Sequence, residues 1–255
     1  MTTLEAITKK KFMNVPRIAV AGRKGGVGKT TISCGIASVL ASQNKRVLVI
    51  DLDPQSNAAF ALGGDPTKPG TAELLMGKKP HPIKINEYLD VLPGGSELGN
   101  HNVQTAHSED LADALHDFEY DAIIFDCPPG NEHLERLALF AASSTLIVAN
   151  AHPMAIMGAG RVHNELASSK EKGRKIAGRW AIVQSLIDKR RKLDKNLETV
   201  LADLYPEVEH LVVHQDTEMA NATANQTPIM EYAPNCRGAK DLLEIANWGC
   251  HGEKK

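Results

Sequence analysis

The residues best placed to do chemistry lie between Ile18 and Thr31, which read IAVAGRKGGVGKTT. Glycines at 22, 25, 26 and 28 lead to Lys29, Thr30 and Thr31, with an apolar run before them (Ile18 to Ala21) and an apolar-periodic one after (Ile32 to Leu40). Strand, glycine loop and helix in that order make a phosphate-binding loop. Without Cβ atoms the glycines let backbone N–H groups curl around phosphate oxygens, the helix start adds the positive end of its dipole, and Lys29 adds a point charge for the outer phosphates. The cradle is then Gly25, Gly26, Val27, Gly28, Lys29, Thr30 and Thr31, with the Thr30 hydroxyl placed to ligate Mg²⁺. The general pattern GxxxxGK[ST] has glycine five residues before Gly28. Here Arg23 stands there, and a second lysine, Lys24, lies inside the loop.

Three carboxylates fall at the ends of apolar runs. RVLVI (46–50) leads into DLDPQSN (51–57), where Pro54 stops the strand, and Asp126 closes the apolar run in YDAIIFDCPPG (120–130). In open parallel sheets the carboxyl ends of strands face the ligand. Asp51 and Asp126 are therefore candidates, with Thr30, to hold Mg²⁺ through its waters. Asp53 is two residues past Asp51, on the same face of an extended segment. The alternative for Asp51 and Asp53 is a pair of turn-capping acids ahead of Pro54. Phosphoryl transfer needs little covalent help, so one water-orienting carboxylate with Lys24, Lys29 and Mg²⁺ is sufficient equipment, and slow hydrolysis is expected.

Positioning these groups requires alternating strands and helices. Beyond those already named, the pattern predicts a small helix over 71–76, a strand over 88–92, and a helix over 108–118 with a serine cap. It continues with a helix over 132–142, a strand over 145–149 and a helix over 156–171. A strand over 180–186, a leucine-striped helix over 193–204, a strand over 208–213 and helices over 219–225 and 239–248 complete it. This alternation implies an α/β fold: a single doubly wound, mostly parallel sheet with helices on both faces. No repeat or linker divides it, so residues 1–16 read as an extension, 17–250 as one P-loop domain and 251–255 as a short polar tail.

Composition excludes several classes. The chain has 255 residues, 42% hydrophobic and 4% aromatic, enough for a full core. It has no apolar run long enough to span a membrane and no apolar segment of secretory type at its start. Net charge is −2, so any nucleic-acid surface must be a local patch. The four cysteines and ten histidines are scattered without metal-site spacing, which reads as reduced thiols in a cytoplasmic protein and no protein-built metal site.

KGGVGKTT (24–31), DLDPQSN (51–57), IIFDCPP (123–129) and the tail TPIMEYAPNCRGAKDL (227–242) together resemble the ParA/MinD family of ATPases, from Arg17 to about Trp248. The loop resembles that family's deviant Walker A form of the P-loop NTPases. With about sixteen residues ahead of the first strand there is no room for a helix-turn-helix module, so the likeness is to the short, Soj-like partition ATPases. The resemblance implies ATP and Mg²⁺ as cofactors and a dimer that closes on ATP. It also implies that Lys24 reaches the partner's nucleotide, and that Asp53 orients the attacking water. It puts adenine contacts at the end of the 180–186 strand and in the loop after the last strand, which here are Ser185 and His214. Where relatives commonly carry proline, His214 either stacks on the base or is a polar loop residue.

Two function classes follow. In one, the ATP-loaded homodimer binds nonspecific DNA and a ParB-like or cargo-adaptor protein stimulates hydrolysis, so that a plasmid, chromosome region or other cargo is moved over the nucleoid. In the other, the same core works on a membrane or protein surface, or as a carrier. The tail after Ala246 has too few apolar residues for a membrane-lying helix, which favours DNA. Between Lys170 and Lys195 ten Lys/Arg face only Glu171, Asp188 and Asp194. The half after the strand, Lys189, Arg190, Arg191 and Lys192, shares the nucleotide edge and resembles the family's DNA-gripping turn. It is the expected DNA contact, although Asp216 and Glu218 nearby would repel phosphate.

Overall fold

The computed structural model describes residues 15–250, so most of the extension and all of the polar tail assigned above lie outside the described residues. Eight strands form one sheet: β1 (Arg17–Ala21), β2 (Val47–Asp51), β3 (Ile83–Lys84), β4 (Leu89–Leu92), β5 (Ala122–Asp126), β6 (Ser144–Ala149), β7 (Arg179–Ile187) and β8 (Glu209–His214). Their order is β3-β4-β2-β5-β1-β6-β7-β8, and every pairing is parallel except β3 with β4. Strands β1, β2, β5 and β6 are almost wholly buried. Parallel strands covered on both faces need apolar side chains throughout, and this is why they read as unbroken runs.

The helices are α1 (Lys29–Ser42), α2 (Asn57–Ala61), α3 (Thr71–Leu75), α4 (His101–Gln104), α5 (Asp110–Ala114), α6 (Glu132–Ala141), α7 (Pro153–Glu171), α8 (Lys192–Leu204), α9 (Thr217–Ala224), α10 (Ile229–Tyr232) and α11 (Arg237–Cys250). From β1 to β2 the chain moves one way across the sheet; from β5 through β6 and β7 to β8 it moves the other way. Right-handed crossovers then put α1 on one face and α6, α7 and α8 on the opposite one. The reversal occurs beside β1, at the centre of the sheet, and the glycine loop leaves β1 at that point.

The sequence expectation overran in one place. The helix expected over 108–118 is only Asp110–Ala114, and Ser108 does not cap it. The Asp110 carboxylate accepts from the His107 N–H at 2.7 Å, the reach-back bond of a capping box, so the turn is opened from His107 and not from Ser108. Strand β7 is longer than its apolar run and irregular. Its register to β8 breaks between Gln184 and Ile187, where Leu186 takes φ +57°.

Candidate active site

The glycine loop runs from Gly22 to Gly28 above the carboxyl ends of the central strands. Gly26 and Gly28 have φ +73° and +90°, and a Cβ built on either meets nothing within 4 Å. The backbone there is shaped for glycine and opens onto free space, which is the cradle a phosphate group needs. Lys29 is 6% exposed, its Nζ donating to the Lys24 carbonyl at 3.3 Å, so the ammonium lies folded across the loop. Burial lowers its pKa, opposed by Asp126 among other nearby acids. Ser185 supports the loop from beneath. Its buried hydroxyl donates to the Val27 carbonyl at 2.6 Å and lies 3.3 Å from that of Ala149.

Asp126 accepts from Thr30 Oγ1 at 2.7 Å and from Ser33 Oγ at 2.8 Å. The Ser33 bond is absent from the sequence reading, although Ser33 lies one helical turn past Thr30. Asp51 is the register partner of Asp126 on the adjacent strand. Its two oxygens accept from the N–H groups of Asp53 and Ala58, both at 2.8 Å. It is thus the turn-capping acid of the alternative reading, and the chain at Asp53 is an Asx turn instead of an extended segment. Burial is the first cause raising the pKa of both acids, and each lies near another carboxylate. Asp126 beside the Thr30 hydroxyl, at the edge of the glycine cradle, is a donor set that suits Mg²⁺, a cation that keeps waters and takes one or two carboxylates.

Asp53 is 8% exposed. Its Oδ1 accepts from the Gln55 N–H at 2.9 Å, and no hydrogen bond among the described residues occupies Oδ2. Gly94 presses on this turn: a Cβ there would stand 1.9 Å from the Asp53 carbonyl oxygen, so no side chain fits. Ser56, at φ +52°, accepts from the Gly95 N–H at 2.9 Å and ties the two loops together.

Arg23, where the general pattern has glycine, is the residue whose role the sequence concealed. Its guanidinium pairs with Glu132, with Glu135 at 3.2 Å and with Glu165 at 2.9 Å, while Glu135 also accepts from the Gly22 N–H at 3.3 Å. Burial raises the pKa of Glu135, and Arg23 acts against that rise. The loop is so fastened to α6 and α7. Arg23→Ala would leave Glu135, 1% exposed, without its cation. Breaking a buried pair in this way costs roughly 3–5 kcal/mol, and the expected result is a lower urea midpoint with an unchanged m-value; an unaltered midpoint would show that the network contributes nothing.

The base contacts are less direct. His214 Nδ1 lies 2.9 Å from Asp241 Oδ2, which also accepts the His214 backbone N–H at 2.8 Å; the Nε2 atom is enclosed without a partner. Ser185, expected at the base, has its hydroxyl on the phosphate loop. Of the basic turn, Arg190 lies against Asp188 with both carboxylate oxygens engaged (Nε–Oδ1 2.9 Å, Nη2–Oδ2 2.8 Å) and holds that carboxyl down at about 2. Arg191 is 3.8 Å from Asp194. Lys189 and Lys192 are exposed, with no ion pair among the described residues.

A family model described as an AAA domain matches residues 15–177. The chromosome-partitioning ATPase Soj of Thermus thermophilus is 33% identical over 241 residues, covering 91% of this chain and 94% of that protein. The chain belongs to the ParA/MinD-type P-loop ATPases. The chromosome partitioning protein ParA of Myxococcus xanthus is 29% identical, covering 89% of the chain and 85% of the relative. Among solved structures, apo McdA from Cyanothece matches with a TM-score of 0.78 at 20% identity, over 92% of this chain and 98% of that one. MinD from Pyrococcus horikoshii, solved with Mg-ADP, matches with 0.74 at 22%, over 91% and 94%. At those identities the structures bear on the fold alone. They agree with the doubly wound sheet of this ATPase.

Proposed function

We propose that this ATPase is a nucleotide switch that dimerises on ATP, binds DNA without sequence preference in that state, and positions a plasmid, a chromosome region or another cargo. ATP with Mg²⁺ is its nucleotide. Lys29 and the backbone from Gly25 to Thr31 hold the phosphates, Thr30 and Asp126 hold the metal with Asp51 behind them, and Asp53 orients water. His214, its Nδ1 beside Asp241, stands next to the base. A ParB-like or adaptor protein stimulates hydrolysis and ends the DNA-bound state.

The observation that carries the DNA reading is the exposed turn Lys189–Lys192 at the carboxyl end of β7, on the same edge of the sheet as the phosphate loop. A dimer closing over that edge would gather two such turns on one surface. Against a membrane role, Ala246 and Gly249 are buried in α11, which packs on α1, so this stretch is docked and not a free tail. No helix among the described residues is long and apolar enough to cross a membrane.

The ATP-loaded protein should bind arbitrary duplex DNA with log K falling against log salt by about 0.9 per phosphate neutralised. Arg190→Ala with Arg191→Ala should flatten that slope and leave nucleotide affinity unchanged. If the trapped ATP form binds no DNA at low salt, the protein works on another surface.

A further inference from the structure

On the face of the sheet opposite α1, a recess of about 440 Å³ opens between α6 and α7. Its charged lining is Arg23, Arg136, Arg161, Glu165, Lys172 and Arg174, and polar side chains of α7 fill the spaces between them. Arg23 is already paired with Glu132, Glu135 and Glu165, and Arg136 with Glu165, so the uncompensated charge here is that of Arg161, Lys172 and Arg174. Arg161, Glu165 and Lys172 are four and seven residues apart, so they share one face of the helix and its end. From Arg161 to Lys172 this row extends about 16 Å at 1.5 Å per residue.

The recess already holds one carboxylate, its own. Glu165 takes Arg23 Nη2 on one oxygen at 2.9 Å and Arg136 Nε on the other at 2.7 Å. Arg23 belongs to the phosphate loop, so a single side chain joins the floor of the recess to the nucleotide site. Arg161, Lys172 and Arg174 are exposed and have no carboxylate partner among the described residues.

We propose that this recess receives an acidic segment of a partner protein, with its Asp or Glu side chains taken by Arg161, Lys172, Arg174 and Arg136. The proposal rests on the reading above that a partner stimulates hydrolysis, and it names where that partner acts. A carboxylate-bearing segment suits this shallow recess because it already holds one carboxylate between two arginines, Glu165 taking Arg23 on one oxygen and Arg136 on the other, and guanidinium groups bind carboxylates through charge-assisted hydrogen bonds. An incoming carboxylate that engages Arg136 competes with Glu165, which then shifts its hold on Arg23. Partner binding and the state of the phosphate loop are therefore linked, and the linkage runs equally in both directions.

The test uses the full chain and a short fluorescent peptide rich in Asp and Glu, followed by anisotropy at low salt. The peptide should bind, and Arg161→Glu with Arg174→Glu should weaken it by about tenfold or more, about 1.4 kcal/mol. Arg161→Gln with Arg174→Gln should weaken it less. Affinity for a fluorescent ATP analogue should be the same in both variants, since neither residue touches the loop. In the unmodified protein, MgATP should change the peptide affinity, and the peptide should change the ATP affinity by the same factor. Equal peptide binding by the charge-reversed protein overturns the proposal. So does an equal loss of duplex DNA binding in that variant, which would make the recess a general polyanion surface. If the peptide binds in the recess and shows the linkage but ATP turnover stays constant, the recess assignment stands and the partner-stimulated switch is the reading that fails.

Discussion

Asp53→Ala is expected to bind MgATP with near-normal affinity and to lose turnover by about 10²–10⁴, the usual contribution of a positioned acid–base group. Asp53 is well made for this. The Asx turn at Asp51, the Gln55 N–H on Oδ1 and the bare Gly94 against its carbonyl fix the side chain, while Oδ2 is left for a water. The substitution removes little structure, because the stranded Gln55 N–H belongs to an exposed residue that solvent can reach. The ATP-bound form should therefore accumulate. Lys29→Ala is the contrasting control. It removes the ammonium that lies across the loop, and nucleotide binding itself should fail. Steady-state phosphate release by Asp53→Ala at the unmodified rate would remove Asp53 from the mechanism.

Lys24→Ala is expected to lower turnover by about 10³–10⁵, the range for a cationic finger supplied across an interface in P-loop enzymes. Lys24 is half-buried at the mouth of the loop, has no carboxylate partner among the described residues, and touches only the Gly25 carbonyl at 3.3 Å. Such a cation is free to reach a second copy. The decisive measurement mixes Lys24→Ala with Asp53→Ala. If Lys24 acts on the partner's nucleotide, each mixed dimer holds one complete site, and random pairing should restore about a quarter of the activity. Action within its own subunit would restore none. Light scattering should show a monomer without nucleotide and a dimer with a nonhydrolysable analogue.

The phosphate loop and the central strands were legible because their physics is local. Gly26 and Gly28 take backbone angles that other residues resist, and a strand covered on both faces must be apolar along its length, so both leave their mark in consecutive letters. The acids at strand ends were legible for the same reason. What the consecutive letters did not show were hydrogen bonds whose partners the fold brings in. Ser108 looked like a cap until Asp110 bonded to His107. Ser185, expected beside the base, donates its hydroxyl to the carbonyl of Val27, 158 residues away. Asp51 also caps the turn that carries Asp53, a contact that its place at a strand end does not reveal.

By itself, the order of letters determined the nucleotide chemistry and the alternation of strands and helices, since each depends on residues within a few positions of one another. Only the tertiary structure decided the rest. The crossover from β5 to β6 sets α6 beside the loop, and the crossover from β6 to β7 does the same for α7. Glu132, Glu135 and Glu165 thereby surround Arg23, a residue that in one dimension is merely a departure from a pattern. The Lys/Arg-rich stretch from 170 to 195 was divided the same way, because β7 carries its two halves to opposite ends of the sheet. The first half joins Arg136 and Arg161 around a recess, and in the second Arg190 is drawn onto Asp188. Charge is counted along the chain, but its field depends on distance in space, and the fold sets those distances.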